Sequence, residues 1–227
     1  MTTRIMPARS LIHAGIIYDP SVAKKSQLQN MDKKEYFDQI SDGWDARFYT
    51  ADLLKKLEYL VAQFELQKGA TILDVGTGTG GLLHLLLRYI GNTGFISAVD
   101  FSARMLKKGS EKFRDKENLK FSNAAVEELP FKSGYFDRVI CFGAFPHFEH
   151  KGEALYEMNR VLKEGGELFI AHALGSKKLM DHHKGASPVA CDVLPEEAEM
   201  LKKKKKKGFI NISITDREEY YLCRGGK

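Results

Sequence analysis

Short segments with the character of β-strands alternate with helical patterns through most of the chain. Five of them suit a buried parallel sheet: 71–75, 95–100, 119–123, 136–142 and 167–173. Between them, apolar residues recur at spacings of three and four, which predicts helices. Strands that alternate with helices form βαβ units, in which helices cover both faces of a parallel sheet.

The chain before the first strand is predicted to be helical. Asp32 has the position of a helix N-cap, and Glu35 stands three residues later in the reciprocal capping position. Apolar residues then recur at helical spacing from Leu53 to Phe64. We expect Gly69 to close that helix, because glycine readily adopts the left-handed conformation that follows many helices.

Two helices between strands are well defined by their patterns. Residues 81–90 are apolar on nearly every side, which predicts a buried helix. Ala154, Leu155 and Met158 belong to an amphipathic helix that we expect to end near Gly165.

The C-terminal end departs from this alternation. Ile210, Ile212 and Ile214 alternate with polar residues, and a second strand follows the turn at Asp216. This pattern indicates an antiparallel hairpin added to the parallel sheet. The predicted fold class is therefore α/β, a doubly wound and mostly parallel seven-stranded sheet with a C-terminal antiparallel hairpin.

We expect one folded domain preceded by a leader. Residues 1–30 lack the clean apolar segment of a secretory signal, and we interpret them as a disordered leader or as sequence upstream of a start at Met31, with a targeting peptide as the alternative. Residues 31–227 form the domain, and the helical segment at about 31–68 precedes its first strand.

The formal net charge of +5 is unevenly distributed along the chain. Residues 1–30 and the run Lys202–Lys207 carry more than this excess, so the rest of the chain is net acidic. Six consecutive residues wrap the whole circumference of a helix, and we expect these lysine stems to cover apolar surface while their charges reach water. A patch for RNA or anionic lipid is the alternative, and we consider nucleic acid an unlikely partner.

The chain also lacks the signs of secretion or membrane insertion. No apolar run approaches the ~18 residues that a transmembrane helix needs. Cys141, Cys191 and Cys223 are widely spaced and odd in number, which is no disulfide framework and no zinc pattern. A reducing, cytoplasmic location is expected.

The stretch "ILDVGTGTGG", residues 72–81, contains two overlapping glycine patterns. Gly76, Gly78 and Gly80 form GxGxG, which suits a single nucleotide-like cofactor. Counting Gly81 instead of Gly80 as the third glycine gives GxGxxG, the fingerprint of NAD and FAD sites. Asp100 ends the second strand and suits either cofactor, because its carboxylate can accept hydrogen bonds from ribose hydroxyls.

The surroundings of the glycines favour the first pattern. Asp74, inside the strand, would repel the pyrophosphate of a dinucleotide but suits a cationic group such as an ammonium. A dinucleotide enzyme also often begins with its fingerprint strand, whereas here a long helical segment precedes it.

Four segments in order resemble one family. These are "ILDVGTGTG", "AVDFSARML", "VEELPFKSGYFDRVICF" and "RVLKEGGELFIA". They resemble the motifs of class I S-adenosylmethionine-dependent methyltransferases, particularly the small-molecule branch that includes the ubiquinone/menaquinone C-methyltransferases. The resemblance implies a Rossmann-like fold and the transfer of a methyl group from S-adenosylmethionine to a small organic molecule by in-line displacement.

The resemblance also implies a set of cofactor-binding residues: Tyr36, Trp44, Asp74, Gly76, Thr77, Gly78, Asp100, Phe101, Ala125, Val126 and Phe142. Asp74 and the glycine loop would hold the methionine end, Asp100 the ribose and Phe101 the adenine. The family commonly has an acidic residue where this chain has Ala125, so backbone groups would replace that contact. Tyr36 and Trp44 would belong to an N-terminal lid, whose aromatic faces suit a sulfonium.

The segment "CFGAFPHFEH" after the fourth strand supplies the candidate base. Relatives that methylate amides or adenine carry an Asn/Asp-Pro-Pro-aromatic motif there, and Gly143–Pro146 departs from it. His147 is our candidate catalytic residue, because imidazole titrates near neutral pH. The alternative is that His147 and His150 only pack or face solvent.

A second polar cluster follows the fifth strand. His172, His182, His183, Cys191 and Asp192 bind a metal, line a substrate pocket or belong to a plain loop. Their spacing matches no closed metal site, and we predict no metal.

Three rival functions stay open at this point. They are an RNA methyltransferase that uses Lys202–Lys207, a non-catalytic S-adenosylmethionine-binding protein, and an NAD-dependent dehydrogenase. The sequence leaves open the identity of the methyl acceptor, the attacking atom and the oligomeric state.

Overall fold

The computed structural model describes residues 31–184 and 189–227, so the predicted leader, residues 1–30, lies outside the described residues. The helices are α1 (Lys33–Ile40), α2 (Trp44–Phe48), α3 (Ala51–Ala62), α4 (Leu83–Ile90), α5 (Ala103–Lys112), α6 (Lys151–Val161), α7 (Ser176–His183) and α8 (Glu197–Lys206). The strands are β1 (Thr71–Val75), β2 (Phe95–Asp100), β3 (Leu119–Asn123), β4 (Phe136–Phe142), β5 (Leu162–His172), β6 (Ile210–Asp216) and β7 (Tyr221–Gly226).

One sheet contains all seven of these strands, in the order β3-β2-β1-β4-β5-β7-β6. The pairs among β1 to β5 are parallel, whereas β7 pairs antiparallel with both β5 and β6. This arrangement confirms the predicted α/β fold class with its C-terminal hairpin. Strand order reverses at β1, which lies between β2 and β4, and ligands of such sheets bind at the carboxyl ends of the strands beside this point.

The core lies on both faces of the sheet, because successive strand residues point to opposite sides. Ile72 packs with the buried residues of α3 and α4, whereas Leu73 packs with those of α6. Phe64 and Phe169 contact each other on the first face, with ring centroids 5.0 Å apart. Burial on both faces explains why the parallel strands read as nearly continuous apolar runs.

The prediction that Gly69 closes the helix before β1 is wrong. Helix α3 ends at Ala62, and Gln63 caps it by donating its backbone N–H to Leu60. Gly69 instead has φ +81° in the turn that enters β1, where its N–H donates to the carbonyl of Ile90. The left-handed conformation expected of Gly69 is present, but the residue lies in the turn before β1 and not at the end of α3.

The boundary near Gly165 also differs from the prediction. Helix α6 ends at Val161, and β5 begins directly at Leu162, which pairs with Phe136. Gly165 has φ +76° and donates its N–H to the carbonyl of Lys227. Gly165 therefore lies at an irregularity within a strand that has already begun, rather than ending a helix.

The lysine run of α8 is not entirely solvated. Lys204 is fully buried, and its Nζ lies 3.6 Å from Sγ of Cys223 and 4.9 Å from the ring centroid of Phe209. The expectation that all six charges reach water is therefore wrong for Lys204, because its side of α8 packs on the hairpin. Burial lowers the pKa of Lys204 below its ordinary value.

Replacing Lys204 with methionine is expected to raise the free energy of unfolding by about 1 kcal/mol or more, because an apolar side chain avoids the cost of a buried ammonium. The pKa of Lys204 is lowered from 10.5, so the unfolded chain binds this proton more tightly and wild-type stability rises with pH up to that value. The gain should therefore shrink as pH rises. Chemical denaturation at several pH values measures it, with the exposed Lys205→Met as the matched control.

Candidate active site

A cavity of about 980 Å³ lies beside the carboxyl ends of β1, β2 and β4. Its lining includes eleven of the twelve residues predicted from the sequence, namely Trp44, Asp74, Gly76, Thr77, Gly78, Asp100, Phe101, Ala125, Val126, Phe142 and His147. Tyr36 is absent from the lining and packs edge-on against Phe37, with ring centroids 5.3 Å apart. The cavity has the size of a site for a cofactor together with a small molecule.

The glycine loop after β1 has the conformation of the GxGxG pattern. Gly76, Gly78 and Gly80 have φ values of +70°, +56° and +80°, a region that other residues rarely adopt. A Cβ on Gly76 would also lie 2.2 Å from Cβ of Ala144, in the segment after β4. The first three glycines are therefore required by the backbone itself.

Gly81 is required for a different reason. Its φ is ordinary, but a Cβ there would lie 1.8 Å from Cζ of the Tyr49 ring. Tyr49 follows α2 and lines the cavity, and burial raises the pKa of its hydroxyl to about 12. The fourth glycine therefore makes room for a phenol of the N-terminal segment, which removes the reason to interpret it as part of a dinucleotide fingerprint.

Asp74 is a buried carboxylate without a cationic partner. Its side chain is only 2% exposed and forms no salt bridge within the part of the chain that the structure describes. Burial raises its pKa to about 7. Beside it, the buried Oγ1 of Thr77 forms no hydrogen bond of ordinary geometry, although it lies close enough to Asp74 to oppose the rise in that pKa. These two groups can satisfy a ligand that offers both a positive charge and a hydrogen-bond donor.

Asp100 holds the glycine loop and the start of α5. Oδ2 accepts a hydrogen bond from the N–H of Gly78 and Oδ1 from the N–H of Ser102, both at 2.8 Å. Burial raises the pKa of Asp100 to about 6, although these two N–H donors oppose the rise. A carboxylate has about four acceptor positions, so capacity is left for ligand hydroxyls.

Polar contacts attach α1 and α2 to the rest of the molecule, and neither helix contains a fully buried residue. Asp38 of α1 accepts hydrogen bonds from Oγ of Ser102 at 2.6 Å and from the N–H of Arg104 at 3.1 Å. Asp45 of α2 accepts from Oγ1 of Thr79 and from Nζ of Lys112, both at 2.5 Å. Separating these helices would therefore expose little of the apolar core.

His147 is oriented by a carboxylate from a distant part of the chain. Its Nδ1 lies 2.7 Å from Oδ2 of Asp192, whose Oδ1 accepts a hydrogen bond from Nζ of Lys33 at 2.6 Å. Burial acts to raise the pKa of Asp192, but the hydrogen bonds from His147 and Lys33 outweigh it and lower the pKa. The carboxylate is therefore ionised at neutral pH. This arrangement leaves Nε2 of His147 for a ligand in the cavity.

The predicted histidine cluster is brought together only in part. Nδ1 of His183 lies 2.6 Å from the backbone oxygen of Asp192, and its ring centroid lies 5.0 Å from that of His147. His172 is buried in β5, where burial lowers its pKa to about 3, and its Nε2 has no hydrogen-bond partner. His182 and Cys191 are exposed. Within residues 31–184 and 189–227, no three ligating side chains are arranged to hold a metal ion.

Several residues of this site lie outside the predicted set, although Phe37 and Tyr49 belong to the same aromatic N-terminal segment as Tyr36 and Trp44. Phe37 and Tyr49 line the cavity, and Lys33 and Asp192 hold His147. Asp192 had been grouped with the histidines, but 45 residues separate it from His147, so no local pattern connects the two. Gly81 was the sequence signal that could have pointed to Tyr49, because the backbone at Gly81 does not require glycine whereas the Tyr49 ring leaves no room for a side chain there.

Residues 72–166 match the family model of a methyltransferase domain. The ubiquinone/menaquinone biosynthesis C-methyltransferase of Stutzerimonas stutzeri is 41% identical over 105 residues, which are 45% of this chain and 41% of that protein. The protein of the same name from Yersinia enterocolitica is 33% identical over 140 residues, which are 60% of this chain and 55% of that protein. The chain thus aligns with about half the length of these relatives.

Solved structures share the fold. A SAM-dependent methyltransferase from Aquifex aeolicus superimposes with a TM-score of 0.62 at 21% identity, covering 92% of this chain and 97% of that one. Phosphoethanolamine N-methyltransferase 2 from Haemonchus contortus, solved in complex with S-adenosyl-L-methionine, gives 0.70 at 16% identity, covering 88% and 60%. At these identities the likeness establishes the fold, as the sequence motifs predicted.

Replacing Gly81 with alanine is expected to displace the Tyr49 ring, because the new methyl group would overlap it. Overpacking of this kind costs about 1–3 kcal/mol. Trp44 is the single tryptophan and lies in α2, so its fluorescence reports the displacement as a shift in emission.

Gly152→Ala is the matched control for this substitution. A Cβ at Gly152, within α6, meets only Cε of Lys207 at 3.8 Å, so this variant should leave the Trp44 emission unchanged. Unchanged emission in Gly81→Ala as well would contradict the packing role assigned to Gly81.

Proposed function

We propose that the chain is a class I S-adenosylmethionine-dependent methyltransferase that methylates a small organic molecule, with His147 as the general base. The observation that carries the proposal is the pair of buried carboxylates, Asp74 and Asp100, on either side of the glycine loop. They line the same cavity as His147.

The residues of the cavity fit S-adenosylmethionine. Asp74 lacks a cation, and the methionine end of the cofactor carries an ammonium, which can donate hydrogen bonds both to Asp74 and to Oγ1 of Thr77. Asp100 retains acceptor capacity for the two ribose hydroxyls. Phe101 lies beside Asp100 in the cavity lining and offers an aromatic face to the adenine. A dinucleotide would instead bring its pyrophosphate toward Asp74.

When bound, the cofactor supplies a methyl group on a sulfonium, which becomes a thioether as the acceptor gains the methyl group and releases a proton. The protein holds donor and acceptor in line, an effect that can correspond to effective molarities of about 10⁵ M or more. Nε2 of His147 receives the proton of the acceptor, because Nδ1 is engaged by Asp192. Such a base is useful only when the nucleophile carries a proton.

We propose that the acceptor is an electron-rich small molecule of the quinol kind. The relatives from Stutzerimonas stutzeri and Yersinia enterocolitica are named as C-methyltransferases of quinone biosynthesis. A ring carbon of a quinol becomes nucleophilic once a hydroxyl proton is lost, which suits a histidine base. The remaining volume of the cavity and its aromatic residues Phe37 and Phe148 suit a flat ring.

The N-terminal helices are proposed to act as a lid over this site. Met31, Phe37, Trp44 and Tyr49 of residues 31–68 line the cavity, and polar contacts at Asp38 and other residues attach this segment. A closed lid excludes water from the sulfonium. Tyr36 would reach the cofactor only after a rearrangement of the lid.

The other functions are less well supported. An RNA methyltransferase would need the charges of Lys202–Lys207 to hold phosphates, but the ammonium of Lys204 is buried. An NAD enzyme would need Gly81 for its fingerprint, but Gly81 accommodates Tyr49. A non-catalytic cofactor-binding protein would have no use for the oriented imidazole of His147.

We also propose a cytoplasmic location. Cys141, Cys191 and Cys223 are all free, which is typical of a reducing compartment. Among the described helices, none combines the length and the apolar composition that crossing a bilayer requires.

The affinity for S-adenosylmethionine is expected to fall by about tenfold per pH unit below pH 7, because the cofactor ammonium needs an ionised Asp74 and burial has raised that pKa to about 7. Below pH 6 the slope should steepen, since the pKa of Asp100 is raised to about 6. Isothermal titration calorimetry over this range, in buffers of different ionisation enthalpy, measures both the affinity and the protons released.

Asp74→Asn is expected to bind S-adenosylmethionine more weakly at pH 7 and to lose the pH dependence between pH 6 and 7. Asp52→Asn, an exposed carboxylate of α3, is the matched control and should behave like the wild type. Binding of NADH in preference to S-adenosylmethionine would refute the proposed cofactor.

His147→Gln is expected to reduce methyl transfer by about 10²-fold or more while leaving cofactor affinity unchanged, because a general base contributes this much and His147 lies on the acceptor side. The readout is release of S-adenosylhomocysteine with 1,4-dihydroxynaphthalene and related phenols as acceptor probes. His150→Gln, which changes an exposed histidine of the same cavity, should retain activity. Equal loss in both variants would argue against a base at His147.

A further inference from the structure

Asp192 lies between two partners that approach its two oxygens separately. Nζ of Lys33 donates to Oδ1 at 2.6 Å, and Nδ1 of His147 lies 2.7 Å from Oδ2. We infer that Asp192 is the positioning residue that fixes the ring proton of His147 on Nδ1, and that Lys33, on the lid, determines which oxygen does so. The inference rests on the proposed function only in taking Nε2 of His147 as the base.

The ring nitrogens have different roles because of this contact. An ionised carboxylate can only accept, so a neutral His147 ring must carry its proton on Nδ1 to bond with Asp192. The lone pair is then on Nε2, the nitrogen that remains for the acceptor. A proton taken up there creates an imidazolium, which the adjacent Asp192 carboxylate stabilises.

Two lysines hold the backbone that carries this histidine. Nζ of Lys151 donates to the carbonyls of Pro146 and Phe148 at 2.8 and 3.0 Å, and Nζ of Lys33 donates to the carbonyl of His147 at 3.2 Å. Three consecutive carbonyls are therefore bound by ammonium groups. These bonds fix the backbone of the short helical turn Phe145–His147, and so hold the position from which the His147 side chain reaches Asp192.

The other neighbours leave Asp192 as the group that orients the ring. His183 packs beside the His147 ring, but its Nδ1 bonds to the backbone oxygen of Asp192, and burial lowers its pKa, which favours its neutral form. Phe37 contacts the His147 ring edge-on, with centroids 5.1 Å apart, and offers no hydrogen bond. Of these neighbours, only the Asp192 carboxylate bonds to Nδ1.

The arrangement connects lid closure to proton transfer. Lys33 begins α1, so its bonds to Asp192 and to the His147 carbonyl form only when that helix is docked. Lid closure therefore fixes which Asp192 oxygen faces His147, although the bond between Asp192 and His147 does not itself require Lys33. The acceptor it serves must carry a proton on or conjugated with its nucleophilic atom, as a phenol or quinol does.

Replacing Asp192 with asparagine distinguishes its bond to Lys33 from its bond to His147. Lys33 has only donors, so the amide oxygen of the new side chain should turn toward Lys33 and the amide nitrogen toward His147. That nitrogen can only donate. The His147 ring is then forced to carry its proton on Nε2, which removes the lone pair from the acceptor side.

A second substitution should reverse this effect. Adding Lys33→Met to Asp192→Asn removes the ammonium that demands the oxygen, so the amide can turn over and accept from Nδ1 again. Lys33→Met alone leaves the carboxylate in place and should keep the proton on Nδ1. A role confined to stabilising the fold would not produce a tautomer that one substitution reverses and a second restores.

The tautomer can be read by long-range ¹H–¹⁵N correlation spectra of ¹⁵N-histidine-labelled full-length protein with S-adenosylmethionine. The spectra are recorded at a pH of about 8.5, about two units above the ordinary histidine pKa. His147→Gln identifies the signal. We expect Nδ1–H in the wild type and in Lys33→Met, Nε2–H in Asp192→Asn, and Nδ1–H again in the double variant.

Asp181→Asn, an exposed carboxylate of α7 paired with Lys184, is the matched control and should not change the His147 signal. The inference would be overturned if the wild-type His147 ring carried its proton on Nε2, or if the proton stayed on Nδ1 in Asp192→Asn. The wild-type result decides the matter even if Asp192→Asn fails to fold. The measurement needs no acceptor, so its failure is distinct from that of the proposed function, which is read by release of S-adenosylhomocysteine. Where an acceptor is found, Asp192→Asn should lose about 10²-fold or more in rate without loss of cofactor affinity.

Discussion

The hydrogen bonds of the Asp100 carboxylate organise the whole site. One oxygen holds the glycine loop through Gly78, and the other holds the start of α5 through Ser102. Ser102 in turn caps α5 and donates its hydroxyl to Asp38 of α1, part of the proposed lid. A single carboxylate at the end of β2 therefore determines where the loop, the helix and the lid meet, and the cavity is the space left between them.

Burying two carboxylates in this cavity has a cost in stability. The pKa values of Asp74 and Asp100 are raised from 3.8 to about 7 and about 6, so the folded chain binds protons more tightly than the unfolded chain. Stability contributed by these groups is consequently lost as pH rises through that interval, by on the order of a few kcal/mol. A ligand that brings a cation to Asp74 and hydroxyl donors to Asp100 offsets this loss. Binding and folding are therefore linked through the same two groups.

The sequence predicts those features that are carried by local periodicity or by a contiguous motif. The alternation of strands and helices was enough for the sheet and its hairpin, and the glycine loop with Asp74 and Asp100 was enough to locate the cavity at the carboxyl ends of the strands. Features that depend on tertiary packing were missed. The burial of Lys204 depends on the hairpin beneath α8, and the bond between His147 and Asp192 joins residues that no pattern connects.

The two halves of the cavity also differ in what the family likeness says about them. The matched domain, residues 72–166, contains the glycine loop, Asp100 and His147, but Lys33 and Asp192 lie on either side of it. Most of the groups proposed to bind the cofactor are thus within the shared segment, apart from Tyr36 and Trp44, whereas Lys33 and Asp192, which hold the proposed base, come from segments outside it. Cofactor use is the property that such a likeness carries best, since most of its proposed residues lie within the matched segment. The proposed acceptor side of the cavity is instead assembled where the flanking segments fold back onto His147, and Asp192 is the residue where those segments meet.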